Sequence, residues 1–302
     1  MPDFTEPVPL EYDGWDAVEH RVDAQKLGQS LQGIGRLYRA TYHFYLTGQL
    51  PSRLVSPDVR VLVGPPEPGS LTYLIWILMA HGRLVAYPQL LAEFADICVP
   101  EFIKAMIGMR GGQTKAMSDA IDKIYDLAKD NAEINRRIVD YAREVHQGDL
   151  ETHRSDRLDK ERLYEVIDRL SQRNSSAMIE MVAPVGHSAR TLTNSKGKEA
   201  EFVVDEPTAD VIRAKGDLEV QDEVKMRVTL GAVDTISRTC KIIAPELGRP
   251  IKAKITDPAL MMTRNVYTHA LDNAQAVIIT GKPALKDGEL HIFYISDAKP
   301  AE

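Results

Sequence analysis

The feature that most constrains the fold is a change of hydrophobic periodicity near residue 200. Before it, apolar residues recur at helical spacing through several long segments; after it, short β-branched runs alternate with turn signals. This pattern predicts an α+β protein in which a helical N-terminal body with a small sheet precedes a small C-terminal β-barrel-like domain, OB or SH3-like. We expect a mainly helical domain over 1–199, a connector strand and short helix over 200–216, and the barrel over 217–302.

Five short runs carry the barrel prediction. Alternation of apolar and polar residues within them is typical of strands that bury one face, and Lys286-Asp287-Gly288 is a hairpin turn signal. The predicted strands are 224–230, 235–243, 250–256, 276–280 and 289–295.

A long amphipathic helix is predicted over 23–46, with Asp23 as its N-cap. Three glycines inside it, Gly28, Gly33 and Gly35, each cost about 1 kcal/mol relative to Ala. They predict the close approach of another backbone, or a break. Its aromatic ridge is interpreted as a subunit interface because aromatic residues are enriched there, with burial in the core as the alternative. The ridge residues are Tyr38, Tyr42 and Tyr45.

Other segments of the first half give clear local signals. A strand over 59–63 is predicted to pair with the uncharged apolar run 70–80, which is about half the roughly 20 residues that a membrane-spanning helix needs. Further helices are predicted over 88–109, with a kink or break at Pro100, and over 163–181, interrupted at Asn174-Ser175. Gly111-Gly112 predicts a break between helices.

Composition favours a globular protein, with 44% hydrophobic and 27% charged residues. The net charge of −7 shows no overall electrostatic attraction for nucleic acid. The charge is uneven, since residues 1–20 carry six acids and no Lys or Arg. The two cysteines are far apart in sequence, and the N-terminus lacks the basic and apolar regions of a signal peptide. We expect a cytoplasmic protein without a cofactor or a metal, and without a stable membrane span.

The first candidate site is an acidic stretch near the N-terminus. Carboxylates and imidazoles are common metal ligands and acid–base groups, so the stretch is a hypothetical centre for a metal-dependent hydrolase. The alternative is an acidic turn followed by the helix cap. The candidate residues are Asp13, Asp16, His20 and Asp23.

The second candidate is PVGHSAR, residues 184–190, together with the basic residues that follow it. A glycine-containing turn with Ser, His and Arg is a hypothetical anion-binding nest, although it matches neither a P-loop nor a nucleophile elbow. The alternative is a connector between a helix and a strand. The candidate residues are Gly186, His187, Ser188, Arg190, Lys196 and Lys198.

The third candidate is the outer face of the barrel. OB-type barrels bind single strands with a basic groove and stacking aromatics. Alternation in PIKAKIT predicts that Lys252 and Lys254 point outward, but an outward lysine row also protects an edge strand from aggregation. The other basic residues in the barrel segment are Lys225, Arg227, Arg238, Lys241 and Arg249, and its few aromatics are Tyr267, Phe293 and Tyr294.

The chain also resembles a group of uncharacterised bacterial proteins that have a C-terminal β module. The resemblance lies in the runs 12–23 and 27–33, in PVGHS at 184–188 and in Arg249-Pro250-Ile251. These proteins are similar to products of the accessory genome, which implies a role in phage defence or mobile elements. The resemblance implies no activity and assigns no functional residue.

Taken together, these patterns predict a non-enzymatic assembly or adaptor protein that forms a homo-oligomer or binds a protein partner. Two alternatives stay open: a nucleic-acid- or nucleotide-binding protein that uses 184–198 and the barrel, and a metal-dependent hydrolase.

Overall fold

The computed structural model confirms the α+β prediction, with a helical N-terminal body that holds a small sheet and a closed C-terminal barrel. The chain divides into two compact units, Met1–Asp205 and Glu206–Glu302. The residues described are 7–47, 59–66, 71–79, 89–130, 135–136, 138–139, 160–196, 199–214, 219–244, 247, 249–286 and 289–301.

Unit 1, Met1–Asp205, contains a five-stranded antiparallel sheet in the order β2-β3-β1-β4-β5. The predicted pairing of 59–63 with the apolar run is confirmed, since Val61 lies opposite Ile77. Within this run, Thr72–Met79 is therefore a strand rather than a helix. The strands are β1 (Val8–Asp13), β2 (Val59–Pro66), β3 (Thr72–Met79), β4 (Thr191–Lys196) and β5 (Glu199–Val204).

The helices of unit 1 follow most of the predicted boundaries. Gly112, at φ 70°, lies in the break between α2 and α3, and Asn174 separates α4 from α5 as predicted. At Pro100 the prediction allowed a break, but α2 continues through that residue. The helices are α1 (Ala24–Thr47), α2 (Gln89–Gly111), α3 (Thr114–Asp130), α4 (Lys160–Arg173) and α5 (Ser175–Met181).

Two buried polar contacts join α1 to the sheet. The hydroxyls of Tyr12 on β1 and Ser30 on α1 lie 2.9 Å apart. The side-chain amide of Asn194 on β4 donates to the hydroxyl of Tyr38 on α1 at 2.7 Å. Buried polar groups need such partners, so these contacts select one position of the helix on the sheet.

One of the three α1 glycines marks a close approach of two backbones. A Cβ at Gly33 would lie 2.5 Å from the Ala177 carbonyl oxygen and 2.5 Å from the Met181 nitrogen, both on α5. A Cβ at Gly28 would meet no atom within 4 Å, and one at Gly35 would only touch Val61. The predicted close approach is therefore present at Gly33 alone, and α1 is not broken.

Unit 2, Glu206–Glu302, is a closed five-stranded barrel with one short added strand. The closed order is β7-β8-β9-β11-β10, and β10 pairs again with β7. All pairings are antiparallel except that of β9 with β11. The strands are β6 (Glu219–Val220), β7 (Val224–Asp234), β8 (Thr239–Ile243), β9 (Ile251–Ile255), β10 (Ala276–Lys286) and β11 (Glu289–Pro300).

The connectivity identifies the OB type of barrel rather than the SH3 type. The first three strands form a meander, helix α7 (Val266–Asp272) follows, and the last strand runs parallel to the third. This is the five-stranded Greek-key arrangement of the OB-fold. Its interior is filled by the inward-facing residues of all five strands, with Ile242, Ala253 and Phe293 completely buried.

Helix α6 (Glu206–Arg213) belongs to unit 2, although the sequence placed it in a connector. An ionic cluster fastens it to the outside of β9 and β11. The Lys254 ammonium lies 2.6 Å from a Glu206 carboxylate oxygen and 3.0 Å from one of Asp210. Asp210 also pairs with Arg213 at 2.8 Å and accepts from the Tyr294 hydroxyl at 3.0 Å.

Replacing Gly33 with Ala should destabilise the protein by about 2 kcal/mol, because the added methyl group would overlap the α5 backbone. The matched variant Gly28→Ala should stabilise it by up to about 1 kcal/mol, since it gains helix propensity in open space. Urea unfolding followed by far-ultraviolet circular dichroism measures both. Equal effects of the two substitutions would contradict the close approach at Gly33.

Acid should weaken the attachment of α6. Burial raises the pKa of the Asp210 carboxyl, but Lys254, Arg213 and the Tyr294 hydroxyl outweigh it, so the pKa lies below its ordinary value. The resulting stabilisation is complete above the unfolded-state pKa, near 4, and is lost as the pH falls through the lower folded-state pKa. We expect Asp210→Asn to destabilise the protein at about pH 6 and to destabilise it less at about pH 3, by urea unfolding. The exposed Asp272→Asn is the control, and an Asp210→Asn effect that does not change with pH would contradict the expectation.

Candidate functional site

The first two candidate sites come together in unit 1, although they are far apart in sequence. The Arg190 amide donates to the Asp13 carbonyl oxygen at 2.7 Å, and the Ala17 amide donates to that of Ser188 at 3.1 Å. The Asp23 amide donates to the Ser188 hydroxyl at 3.2 Å. The two segments meet because β1 pairs with β4.

The acidic candidate residues do not assemble a metal centre. Asp13, Asp16, His20 and Asp23 are all exposed. Over the described ranges, no group of three or more His, Cys, Asp and Glu residues could hold a metal ion. Asp23 instead accepts from the Lys26 amide at 2.8 Å, which confirms the predicted helix cap. The hydrolase hypothesis therefore finds no ligand set in this stretch.

The backbone amides of the PVGHSAR turn donate to carbonyl oxygens of the same turn. The amides of His187, Ser188 and Ala189 all donate to the Pro184 carbonyl oxygen, at 3.0 to 3.1 Å. The Gly186 amide, in a left-handed residue with φ 82°, donates to the Ala189 carbonyl oxygen at 2.8 Å. Since these amides are already bonded, the prediction of an anion-binding nest is wrong, and the turn is the helix-to-strand connector.

Arg190 is held against the N-terminal segment by a tight backbone contact. Gly14, at φ 79°, lies beneath it, and a Cβ there would come within 2.4 Å of the Arg190 Cβ. The Nε of Arg190 is buried and has no hydrogen-bond acceptor among the described residues. The neighbouring stretch carries Asp13 and Asp16, which disfavour a polyanion here. The side chain of Lys196 and all of Lys198 lie outside the described residues.

The tyrosines of α1 are core residues, so their prediction as a subunit interface is wrong. Tyr38 is 1% exposed, Tyr42 2% and Tyr45 4%. Helical periodicity identifies an apolar face but does not say whether the same chain or another covers it. Here the chain's own residues cover that face.

The two barrel lysines have different environments. Lys252 points outward and is exposed, as its alternation with apolar neighbours predicts. Lys254 also lies on the outer side, but Glu206 and Asp210 of α6 neutralise it. Lys252 therefore remains available to a ligand, whereas Lys254 is part of the structure.

A strip of four exposed cations crosses the outside of the barrel, and we call it the basic strip. Lys241 on β8 lies directly opposite Lys252 on β9, which puts two like charges on the same side of neighbouring strands. Lys241 lies opposite Ala232 on β7, and Arg227 and Lys225 lie on the outer side of that strand, five and seven residues before Ala232. Within the described part of the chain, none of the four forms an ion pair.

The basic strip stands out because unit 2 as a whole is close to neutral, since Lys and Arg nearly balance Asp and Glu over 206–302. Of its described carboxylates, Glu206 and Asp210 hold Lys254. Asp297 on β11 lies opposite Thr280, beside the strip, and pairs with Lys299 at 3.5 Å. The aromatics that the sequence offered for stacking are all inside or covered. Tyr267 and Phe293 are 0% exposed and Tyr294 is 2% exposed.

Two exposed aliphatic residues border the basic strip, and sequence analysis missed them as site residues. Ile243 on β8 is 43% exposed and Ile278 on β10 is 39% exposed. Ile278 lies opposite Arg227, and Ile243 lies opposite Thr229 on β7. Alternation in 276–280 puts Ile278 on the same side as Ala276 and Thr280, and the structure buries the other side, with Val277 and Ile279. The cross-strand neighbours of Ile278 follow only from the strand register.

Neither cysteine is a candidate nucleophile. Cys98 and Cys240 are free and buried, and burial raises the pKa of each thiol to about 12. A thiol with that pKa is protonated near neutrality and reacts poorly.

Among the described helices, none has both the length and the apolar composition to cross a membrane.

Comparison with known proteins divides the chain close to the border between the two units. Residues 8–213 match the model described as a domain of unknown function (DUF7946), and residues 222–299 match a family of unknown function (DUF7947). No curated protein matches the chain. No solved structure matches it either. Since the first model covers more than half of the chain, the protein belongs to the DUF7946 family of domains of unknown function.

Proposed function

We propose that this protein binds nucleic acid through the basic strip of its C-terminal barrel, without catalysing a reaction on it. The observation that carries the proposal is the direct pairing of Lys241 with Lys252, continued along β7 by Arg227 and Lys225. A row of unpaired cations attracts the phosphates of a nucleic acid, and neutralising them releases counterions.

Like charges on opposite residues of neighbouring strands cost stability. Lys241 and Lys252 bear this cost in the free protein, because no carboxylate among the described residues lies within ion-pair distance of either. A bound phosphate would relieve the repulsion. Such an arrangement favours a site for an anion over an ordinary surface, where charges of both signs are interspersed.

Closure of the barrel removes the main alternative explanation of the lysines. Lysines commonly protect the exposed edge of a sheet from pairing with another chain. β9, however, is hydrogen-bonded to β8 on one side and to β11 on the other. Lys252 therefore has no edge to protect.

The position of the basic strip in the barrel supports the same function. In OB-type barrels the face of the second and third strands binds oligonucleotides and oligosaccharides. Lys241 lies on the second strand of this barrel and Lys252 on the third. Of these two classes of ligand, the cations favour the oligonucleotide, because it carries negative charge.

Assembly into an oligomer or with a protein partner stays a prediction, as do the cytoplasmic location and the role in phage defence or mobile elements. The three tyrosines chosen to mediate assembly are buried in unit 1 and do not support it. Nucleotide or nucleic-acid binding by 184–198 also loses support, because the turn amides are already bonded.

Binding of the full chain to a fluorescein-labelled oligothymidylate should weaken steeply with salt, as measured by fluorescence anisotropy. With four phosphate contacts, log K should fall against log salt with a slope of about −2.8. The double variant Lys241→Ala/Lys252→Ala should reduce the slope to about −1.4. At about 0.1 M salt it should lose about 25-fold in affinity.

The control is Lys115→Ala/Lys129→Ala, which removes the same charge from exposed positions of α3 in unit 1. We expect it to bind as the wild-type protein does. No binding by the wild-type protein, or equal losses in the two double variants, would refute a nucleic-acid site on the basic strip.

A further inference from the structure

The outside of the barrel alternates cations with aliphatic side chains. Lys252 and Lys241 are neighbours at one end of the basic strip. Two residues further along β8 lies Ile243, opposite Thr229. Next along β7 comes Arg227, with Ile278 beside it on β10.

This alternation brings apolar surface within reach of whatever the cations bind. Outward-facing residues two apart on a strand are about 7 Å from each other, and neighbouring strands are about 4.8 Å apart. Ile243 and Ile278 are therefore flanked by Lys241 and Arg227 on the same outer surface. Each isoleucine is about 40% exposed, so a ligand held by the cations can cover its apolar surface.

We infer that the ligand of the basic strip is a single-stranded nucleic acid whose phosphates contact the four cations and whose bases lie against Ile243 and Ile278. This inference rests on the proposed function and narrows it. The charged and apolar surfaces of the strip correspond to the two chemical parts of a nucleotide, the anionic phosphate and the flat apolar face of the base.

A duplex does not satisfy both surfaces. Its base faces are stacked inside the helix, so it would offer phosphates to Lys241 and Arg227 but nothing apolar to the isoleucines. A single strand exposes base faces that protein side chains can cover. A simple polyanion without bases would leave the two isoleucines in water, as a duplex would.

The residues of the strip also indicate tolerance of base sequence. Direct readout of bases relies largely on bidentate side chains such as Asn, Gln and Arg, and Arg227 is the one member of the strip of this kind. Outward residues next to the isoleucines include Thr229, Ala276, Thr280 and Lys299, with the Arg and Lys side chains of the strip. We expect contacts to any base of suitable size, with phosphates supplying most of the affinity.

The test compares three ligands of about twelve nucleotides on the full chain: oligothymidylate, an abasic strand with the same backbone, and a duplex. Covering about half of the exposed surface of each isoleucine is expected to contribute about fivefold. The wild-type protein should therefore bind the oligothymidylate about 25-fold more tightly than the abasic strand, and more tightly than the duplex.

The variant Ile243→Thr/Ile278→Thr keeps the β-branched shape while removing apolar surface. It should lose most of the preference for the oligothymidylate, and its affinity for the abasic strand should stay unchanged. That second affinity shows whether the barrel remains folded. The matched control is Ile236→Thr, at a side chain 94% exposed in the turn between β7 and β8, which should retain the full preference.

The outcomes separate this inference from the proposed function. Equal binding of the oligothymidylate and the abasic strand by the wild-type protein, with a steep salt dependence, would overturn the base contacts and keep the polyanion site. Tighter binding of the duplex would overturn the inference in the same way. No binding of any of the three ligands would overturn both proposals.

Discussion

Parallel pairing of β9 with β11 is the interaction on which the barrel depends. It joins the meander β7-β8-β9 to the hairpin β10-β11, with Ala253 opposite Phe293 in the middle. Closure pairs the backbone of β9 on both sides and divides every strand into an inner and an outer face. The inner residues form the core, and the outer residues, with their charges, are set in a defined register.

Closure of the barrel also decides which residues a ligand could reach. It puts the aromatic side chains inside or under α6 and leaves cations on the outer surface, so the barrel is a candidate for binding a nucleic acid without aromatic stacking. Tyr267 and Phe293 fill the interior, and Tyr294 is covered by α6. Cations and isoleucines remain on the outside. Such a surface binds mainly by electrostatic attraction, so its affinity depends strongly on salt. The net charge of −7 of the whole chain does not oppose this, because salt screens distant charges more than those in contact with the ligand.

In unit 1 the segments with the most suggestive residue types have structural roles. Asp23 caps α1, the PVGHSAR turn bonds to itself, and the Ser188 hydroxyl accepts from the Asp23 amide. Polar residues and glycines occur both in binding sites and in the caps and turns that connect elements. In both places the polar side chains supply hydrogen-bonding groups, and glycine allows the backbone to turn. Only the partner of each group distinguishes the two uses.

The sequence by itself determined the α+β class, the five barrel strands, the cap at Asp23 and the outward direction of Lys252. These properties depend on local periodicity and on contacts within one turn of chain, which the order of residues encodes directly. The tertiary structure alone decided that Lys241 lies opposite Lys252, that α6 neutralises Lys254 and that the α1 tyrosines are buried. Those properties depend on which strands and helices become neighbours, and residues far apart in sequence are brought together by the pairing and packing of whole elements.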